Sequence, residues 1–136
     1  MNEAEELRKA IALVLTGDEA GPVSFVNRAE CTVQLPDALN TLQITIYLNR
    51  VILARSRILD RRVSDPDEPE PGITVILRGD KVVHFPGAAA TKVGEVEVPA
   101  APESHWSEFR VRLHTQDYPR IRSAWDYIYS HGCRGR

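Results

Sequence analysis

From Leu42 to Asn49 apolar and polar residues alternate without a break. Leu42, Ile44, Ile46 and Leu48 fall on one side of an extended chain, and Gln43, Thr45, Tyr47 and Asn49 on the other. A period of two with one wet side is the pattern of an antiparallel strand covered on a single face. The same period runs through Cys31-Thr32-Val33-Gln34-Leu35, so two strands are predicted around a turn or short loop at Pro36–Asn40. Earlier in the chain the period is different. Leu7, Ala10, Ile11, Val14 and Leu15 form one helical stripe, which predicts a helix over 3–16. Glu3, Glu5 and Glu6 suit its positive N-terminal end, and Gly17, Gly21 and Pro22 stop it.

Val51 to Val63 fits both templates, and the β texture around it favours a strand with Ile52, Ala54, Ser56 and Ile58 inward. Three prolines and four acids then crowd Asp65–Pro71, which predicts an exposed acidic loop over 64–72. Ile73–Leu77 and Val82–Phe85 flank Arg78-Gly79-Asp80-Lys81, a hairpin signal. Pro86-Gly87 breaks the sheet, and Val93, Val96 and Val98 mark one more short strand. In the last stretch Phe109, Val111 and Leu113 point inward while Glu108, Arg110, Arg112 and His114 point away. At Asp117 the period lengthens to about 3.6. A helix over 117–131 follows, with Asp117 as N-cap, Pro119 in the first turn and Tyr118, Ile121, Trp125 and Ile128 as its apolar stripe.

Together these elements predict an α+β fold. It has an N-terminal helix, a mainly antiparallel sheet or partly open barrel of about six or seven strands over 23–114, and a C-terminal amphipathic helix. The length, 136 residues, is that of a single domain, and no stretch looks like a boundary. A chain that is 43% hydrophobic and 26% charged is expected to be soluble and globular rather than disordered. The apolar run Ala10–Leu15 is too short for a signal peptide, and nothing approaches the roughly 20 apolar residues of a spanning helix. A cytoplasmic protein is the expectation. Cys31 and Cys133 are then expected to be free thiols, since a bridge needs Cα atoms within about 7 Å, which spacing does not establish.

Candidate chemistry is sparse. Gly87 and Gly94 lie outside any strand–loop–helix context that would cradle a phosphate. His84, His105, His114 and His131 show no ligand spacing and the cysteines form no C-x-x-C, so neither a metal nor a cofactor is expected. His131 with Cys133 resembles a base and nucleophile, but both lie at a chain end where fraying is expected. No catalytic set emerges, and the reading leans away from an enzyme. A pocket between sheet and helix, with His114 near Tyr127 or Tyr129, is the form an enzyme would take.

Arginine is the suggestive residue. Arg50, Arg55, Arg57, Arg61 and Arg62 cluster before the acidic loop, and Arg110, Arg112, Arg120 and Arg122 surround the final strand and helix. The planar guanidinium suits phosphates and carboxylates, so Arg55, Arg57, Arg110, Arg112 and His114 form a candidate anion site if they meet. The bland alternative is a solvated sheet face whose arginines pair with Glu95, Glu97, Glu108 and the acidic loop. A net charge of −2 argues against nucleic acid and anionic membranes as partners.

Antiparallel strands closed by a C-terminal helix with a central Trp resemble the pleckstrin-homology superfold. The matching features are the strand Phe109–His114, the helix Asp117–Tyr129 with Trp125, and Ile73–Phe85 as an internal hairpin. The resemblance covers residues 24–130 and implies a series of antiparallel strands closed by the C-terminal helix. Phosphoinositide-binding members carry basic residues between their first two strands, where this chain has Pro36-Asp37-Ala38-Leu39-Asn40. The function expected is a non-enzymatic protein-interaction or self-association module. Binding of an anionic ligand or phosphoinositide through the arginines is the alternative.

Overall fold

The structure is a computed structural model that describes residues 2–36, 42–61 and 72–136, with the backbone alone of Arg61. The expected turn after Pro36 and the acidic loop fall largely on residues outside this set. The fold is α+β. Helix α1, Glu3–Thr16, begins at Asn2, whose side chain accepts from the Ala4 N–H, and ends at Gly17 in the left-handed region at φ 81°. Strands β1 (Ser24–Asn27), β2 (Thr32–Pro36) and β3 (Gln43–Tyr47) follow, then two short 3-10 turns, Leu48–Arg50 and Leu53–Arg55. Strands β4 (Arg57–Arg61), β5 (Gly72–Phe85), β6 (Thr91–Val93), β7 (Val96–Val98) and β8 (Ser104–Leu113) come next, and helix α2, Tyr118–His131, last.

Every strand pairing is antiparallel, and β5 is the hub. Its first half pairs with β4 and its second half with β3, while β8 runs along its other edge. β2 and β1 extend the sheet beyond β3, and β6 with β7 makes a separate two-stranded ribbon. The inner face of the large sheet carries Val33, Ile46, Ile73, Val75, Leu77 and Leu113, all buried in one cluster with Ile11, Leu15, Ile121, Trp125 and Ile128. The helical stripes read from the sequence face the core, with Ala10 and Tyr118 half-buried at their margins, and the helices bury Ala12, Leu13 and Ala124 besides. The helices also pack on each other closely: a Cβ on Gly132 would come within 2.5 Å of the Leu7 side chain.

Three expectations for the β region are corrected. Residues 73–85 are not a hairpin but one strand, in which Gly79 to Val82 lie opposite Ser107 alone. Gly79 passes so close to the neighbouring chain that a Cβ there would sit 2.1 Å from the Arg50 carbonyl oxygen. The Ile52 N–H donates to the Arg78 carbonyl at 2.7 Å, and Lys81 takes φ 51°. Gly-Asp is thus the signal of a bulge that bends a strand instead of a turn that reverses it. Val93, Val96 and Val98 lie on two strands, with Gly94-Glu95 as a two-residue turn and Gly94 at φ 63°. The segment from Val51 is a strand only from Arg57; before it, the second 3-10 turn leaves Leu53 and Ala54 exposed.

The cysteines are corrected too: Cys31 and Cys133 form a buried disulfide, with Cα atoms 5.7 Å apart. The end of the chain is held rather than frayed. The Arg134 N–H donates to Asn49 Oδ1, the Arg136 N–H to the Val51 carbonyl, and the Leu53 N–H to the Arg136 carbonyl. This return path carries Cys133 back to the start of β2. The bridge spans 102 residues of sequence, and closing a loop of ~100 residues is worth about 4.7 kcal/mol in the chain-entropy description. Reduction is expected to lower the unfolding free energy by about 3–5 kcal/mol. Urea unfolding with and without dithiothreitol measures it, and coincident midpoints would refute a stabilising bridge.

Candidate functional site

Cross-strand partners share a face of a sheet, so register locates the arginines. Arg57 lies opposite Ile76, and Ile76 opposite Arg110; Leu59, Thr74 and Arg112 form the next row of the same face. The sheet therefore brings Arg57, Arg110 and Arg112 together on its outer face. Ile76 is 5% exposed between the two arginines, as expected where aliphatic stems lie over an apolar neighbour with their charged ends in water. Arg55 is elsewhere, in the second 3-10 turn, lining a cleft with Ile52, Arg78, Gly79, Asp80 and Ser107. His114 is exposed just past the end of β8.

Acids already occupy part of this face. Arg78 Nε donates to Glu108 Oε1 at 2.9 Å, and Arg110 Nε stands 3.6 Å from the other Glu108 oxygen. Arg112 is itself engaged. Around α2, Arg122 pairs with Asp126 and Arg120 with Glu19. The Thr74 hydroxyl is buried without a partner among the described residues.

A cleft of about 440 Å³ does run between sheet and helix, lined by Leu53, Arg57, Ile58, Arg122, Trp125 and Tyr129 among others. Its tyrosine is committed to packing. The Tyr129 hydroxyl donates to the Leu48 carbonyl at 2.9 Å, its ring tilts against Trp125, and burial pushes its pKa up. Tyr127 lines a different cleft, with Leu7, Arg28 and His131, and stacks on the His131 ring. His114 lines neither. The convergence of His114 with Tyr127 or Tyr129 is not formed.

Two features that the sequence did not disclose are at the other end of the molecule. The first is the ribbon. Val93 lies opposite Val96 and Thr91 opposite Val98, so all four β-branched side chains share one face; Lys92 and Glu97 share the other. Its apolar face is uncovered, with Val93 66%, Val96 67% and Val98 41% exposed. The second is a polar cluster where the segment bearing the ribbon joins the sheet. His84 on β5 lies opposite His105 on β8, and their rings stack with centroids 4.7 Å apart. Glu103 Oε1 is 2.7 Å from His84 Nε2, and the three potential ligand atoms all lie within 4.8 Å of one another. Antiparallel register could have revealed the histidine pair; sequence spacing, at 21 residues, hides it.

No protein-family model, curated protein or solved structure matches the chain.

The clearest titration signature on the arginine face is that of Glu108. The hydrogen bond from Arg78 holds its carboxyl below the usual glutamate pKa, with Arg110 adding a smaller attraction. The pair's contribution is thus present above the ordinary glutamate pKa and lost as pH falls through the lowered folded-state value. In a carbon-detected NMR titration Glu108 should titrate below an ordinary glutamate, and Arg78→Gln should move it upward. An unchanged midpoint in the variant would rule out the pairing in solution.

Proposed function

We propose that the chain is a non-enzymatic interaction module that self-associates through the apolar face of the β6–β7 ribbon. The observation that carries this reading is the ribbon's exposed apolar face: it has a sorted apolar face and a charged face, but no described residue covers the apolar one. Sheets of this kind normally pack that face, and an isolated two-stranded ribbon is marginal in water.

Magnitudes decide what else is needed. Burying the exposed faces of three valines contributes roughly 4–5 kcal/mol per copy, about 8–10 kcal/mol for two copies, which lies within the range of the cost of association. A second contact adds to it. The edge of β8 away from β5 has no strand partner among the described residues, and β8 begins a short connection after Val98. An open edge offers backbone hydrogen bonds to another chain. Trp106 on that strand is 45% exposed and stacks on Phe85. A second copy supplies a matching uncharged face and a matching edge, so a two-fold contact satisfies both at once.

A plan like that of the pleckstrin-homology superfold is supported only by α2 packing against an antiparallel sheet. No helix among the described residues is long and apolar enough to cross a membrane, and the buried disulfide supports an oxidising compartment over the cytoplasm, where thiols are kept reduced.

The alternative, an anionic-ligand or phosphoinositide site, draws support from the grouping of Arg57, Arg110 and Arg112. It ranks second because Glu108 already neutralises part of that face. On this alternative Arg57→Glu with Arg110→Glu should abolish binding of inorganic phosphate or of phosphoinositide vesicles, and binding equal to the parent would dismiss it. Light scattering coupled to size exclusion tests the first reading. The parent should show dimer at about 100 µM, and Val93→Asp with Val96→Asp should give monomer. Thermal unfolding of that variant at the dilute limit should match the parent monomer, because the ribbon lies outside the core. A parent chain that is strictly monomeric at that concentration would sink self-association.

A further inference from the structure

The two clefts against α2 are open, and each mixes polar with packing residues: Glu3, Arg28 and His131 with Leu7 in one, Arg57, Arg122 and Asp126 with Trp125 in the other. The arginine face is partly neutralised by its own acids. The disulfide is buried beneath the chain end. One cluster brings together groups with a shared chemical purpose, and it is His84, Glu103 and His105.

We propose that these three residues form a binding site for a divalent transition-metal ion of the zinc class, at the base of the ribbon-bearing segment. The donor set is two imidazoles and one carboxylate, which suits zinc and its neighbours and not the oxygen-seeking magnesium or calcium. The backbone places them well. His84 and His105 are direct cross-strand partners, and Glu103 lies just before β8, two residues ahead of His105, with its carboxylate against His84. The frame at this point is closed on itself. Ala88 and Ala101 exchange both backbone hydrogen bonds, and a Cβ on Gly87 would lie 2.8 Å from the Glu103 nitrogen.

The distances require only side-chain adjustment. A tetrahedral ion with ligand bonds of about 2.0–2.1 Å holds its ligands roughly 3.3 Å apart. The His84–Glu103 pair at 2.7 Å must open slightly, and the most distant pair, within 4.8 Å, must close. Glu103 and His105 are exposed and have room to turn. The ion takes the place of the direct contact between His84 Nε2 and Glu103 Oε1. His105 supplies the third ligand, and the fourth position faces solvent. His84 and Glu103 stand on either side of the segment 86–102, so a bound ion clasps both ends of the stretch that carries the ribbon.

The test is a competition titration of Zn²⁺ against a chromophoric chelator, with the untagged chain. One equivalent should bind per chain. His84→Ala with His105→Ala should weaken it at least about tenfold, and Glu103→Ala should weaken it measurably, since three ligands are invoked. His114→Ala with His131→Ala should leave it unchanged. Co²⁺ in the same site should give the intense visible bands of a four-coordinate ion, lost in the same variants. Far-UV circular dichroism in chelator confirms that each variant is folded, and Glu103→Ala, at an exposed position, serves if the double variant is not. The proposal is overturned by parent binding no stronger than that of His84→Ala with His105→Ala. Loss of binding in His114→Ala with His131→Ala, or full binding in Glu103→Ala, would overturn it equally. The titration does not depend on self-association, so either proposal can fail alone.

Discussion

The close passage of Gly79 beneath the Arg50 carbonyl is the constraint on which the sheet depends. Strand β5 must serve two different neighbours on one edge, β4 first and β3 afterwards. A straight strand of 14 residues would present one continuous edge to one partner. The bulge from Gly79 to Val82 divides that edge, and the segment from Leu48 to Arg55 fits against the division through the Val51–Gly79 bridge and the Ile52–Arg78 hydrogen bond. Any Cβ at position 79 would collide with that backbone. Glycine is required there by space, not by its own dihedral angles.

The same segment also ties down the end of the chain. Residues 49–53 receive Arg134 and Arg136 on one side while they meet β5 on the other. Tyr129 donates to Leu48 from α2, and the Leu48 N–H donates to the Cys31 carbonyl. Sheet, helix and chain end thus converge on a short irregular stretch, and the disulfide fixes the convergence covalently. Irregular backbone buried this way must have its polar groups satisfied, and the docked chain end is what satisfies Val51 and Leu53. This explains why an ambiguous hydrophobic pattern sits at that point: the residues serve neither a regular helix nor a regular strand.

Local periodicity made much of the fold legible. Both helices, their caps at Asp117 and Gly17, and the inward sets Ile44–Ile46–Leu48 and Phe109–Val111–Leu113 follow from spacing alone, because each reports a single element facing a single core. What escaped was decided between elements. The Arg78–Lys81 stretch has the composition of a turn and of a bulge alike, and only the presence of β8 along both halves selects the bulge. The valines at 93, 96 and 98 are three and two apart, and the spacing of three is explained by a two-residue turn that sets Val93 against Val96. The candidate arginine site was half legible: strand parity put Arg110 and Arg112 on one face, but Arg55 belongs to a turn that parity could not foresee. His84 and His105 meet only through register.

The two ends of the molecule differ in how firmly they are specified, and that difference bears on function. Near Cys31 the chain is held by a disulfide, two helices and a buried core. At the other end the segment 86–103 leaves the sheet with exposed valines, and its contacts to the rest of the fold are concentrated at its base. A ribbon with so little local packing is drawn from the low-stability part of a structure, so its conformation is open to stabilisation by whatever binds its apolar face or its base. A partner on the valines and an ion on His84, Glu103 and His105 would act on the same sparsely packed element from opposite ends. Each would reduce the ordering cost left for the other, and by linkage the effect would be reciprocal.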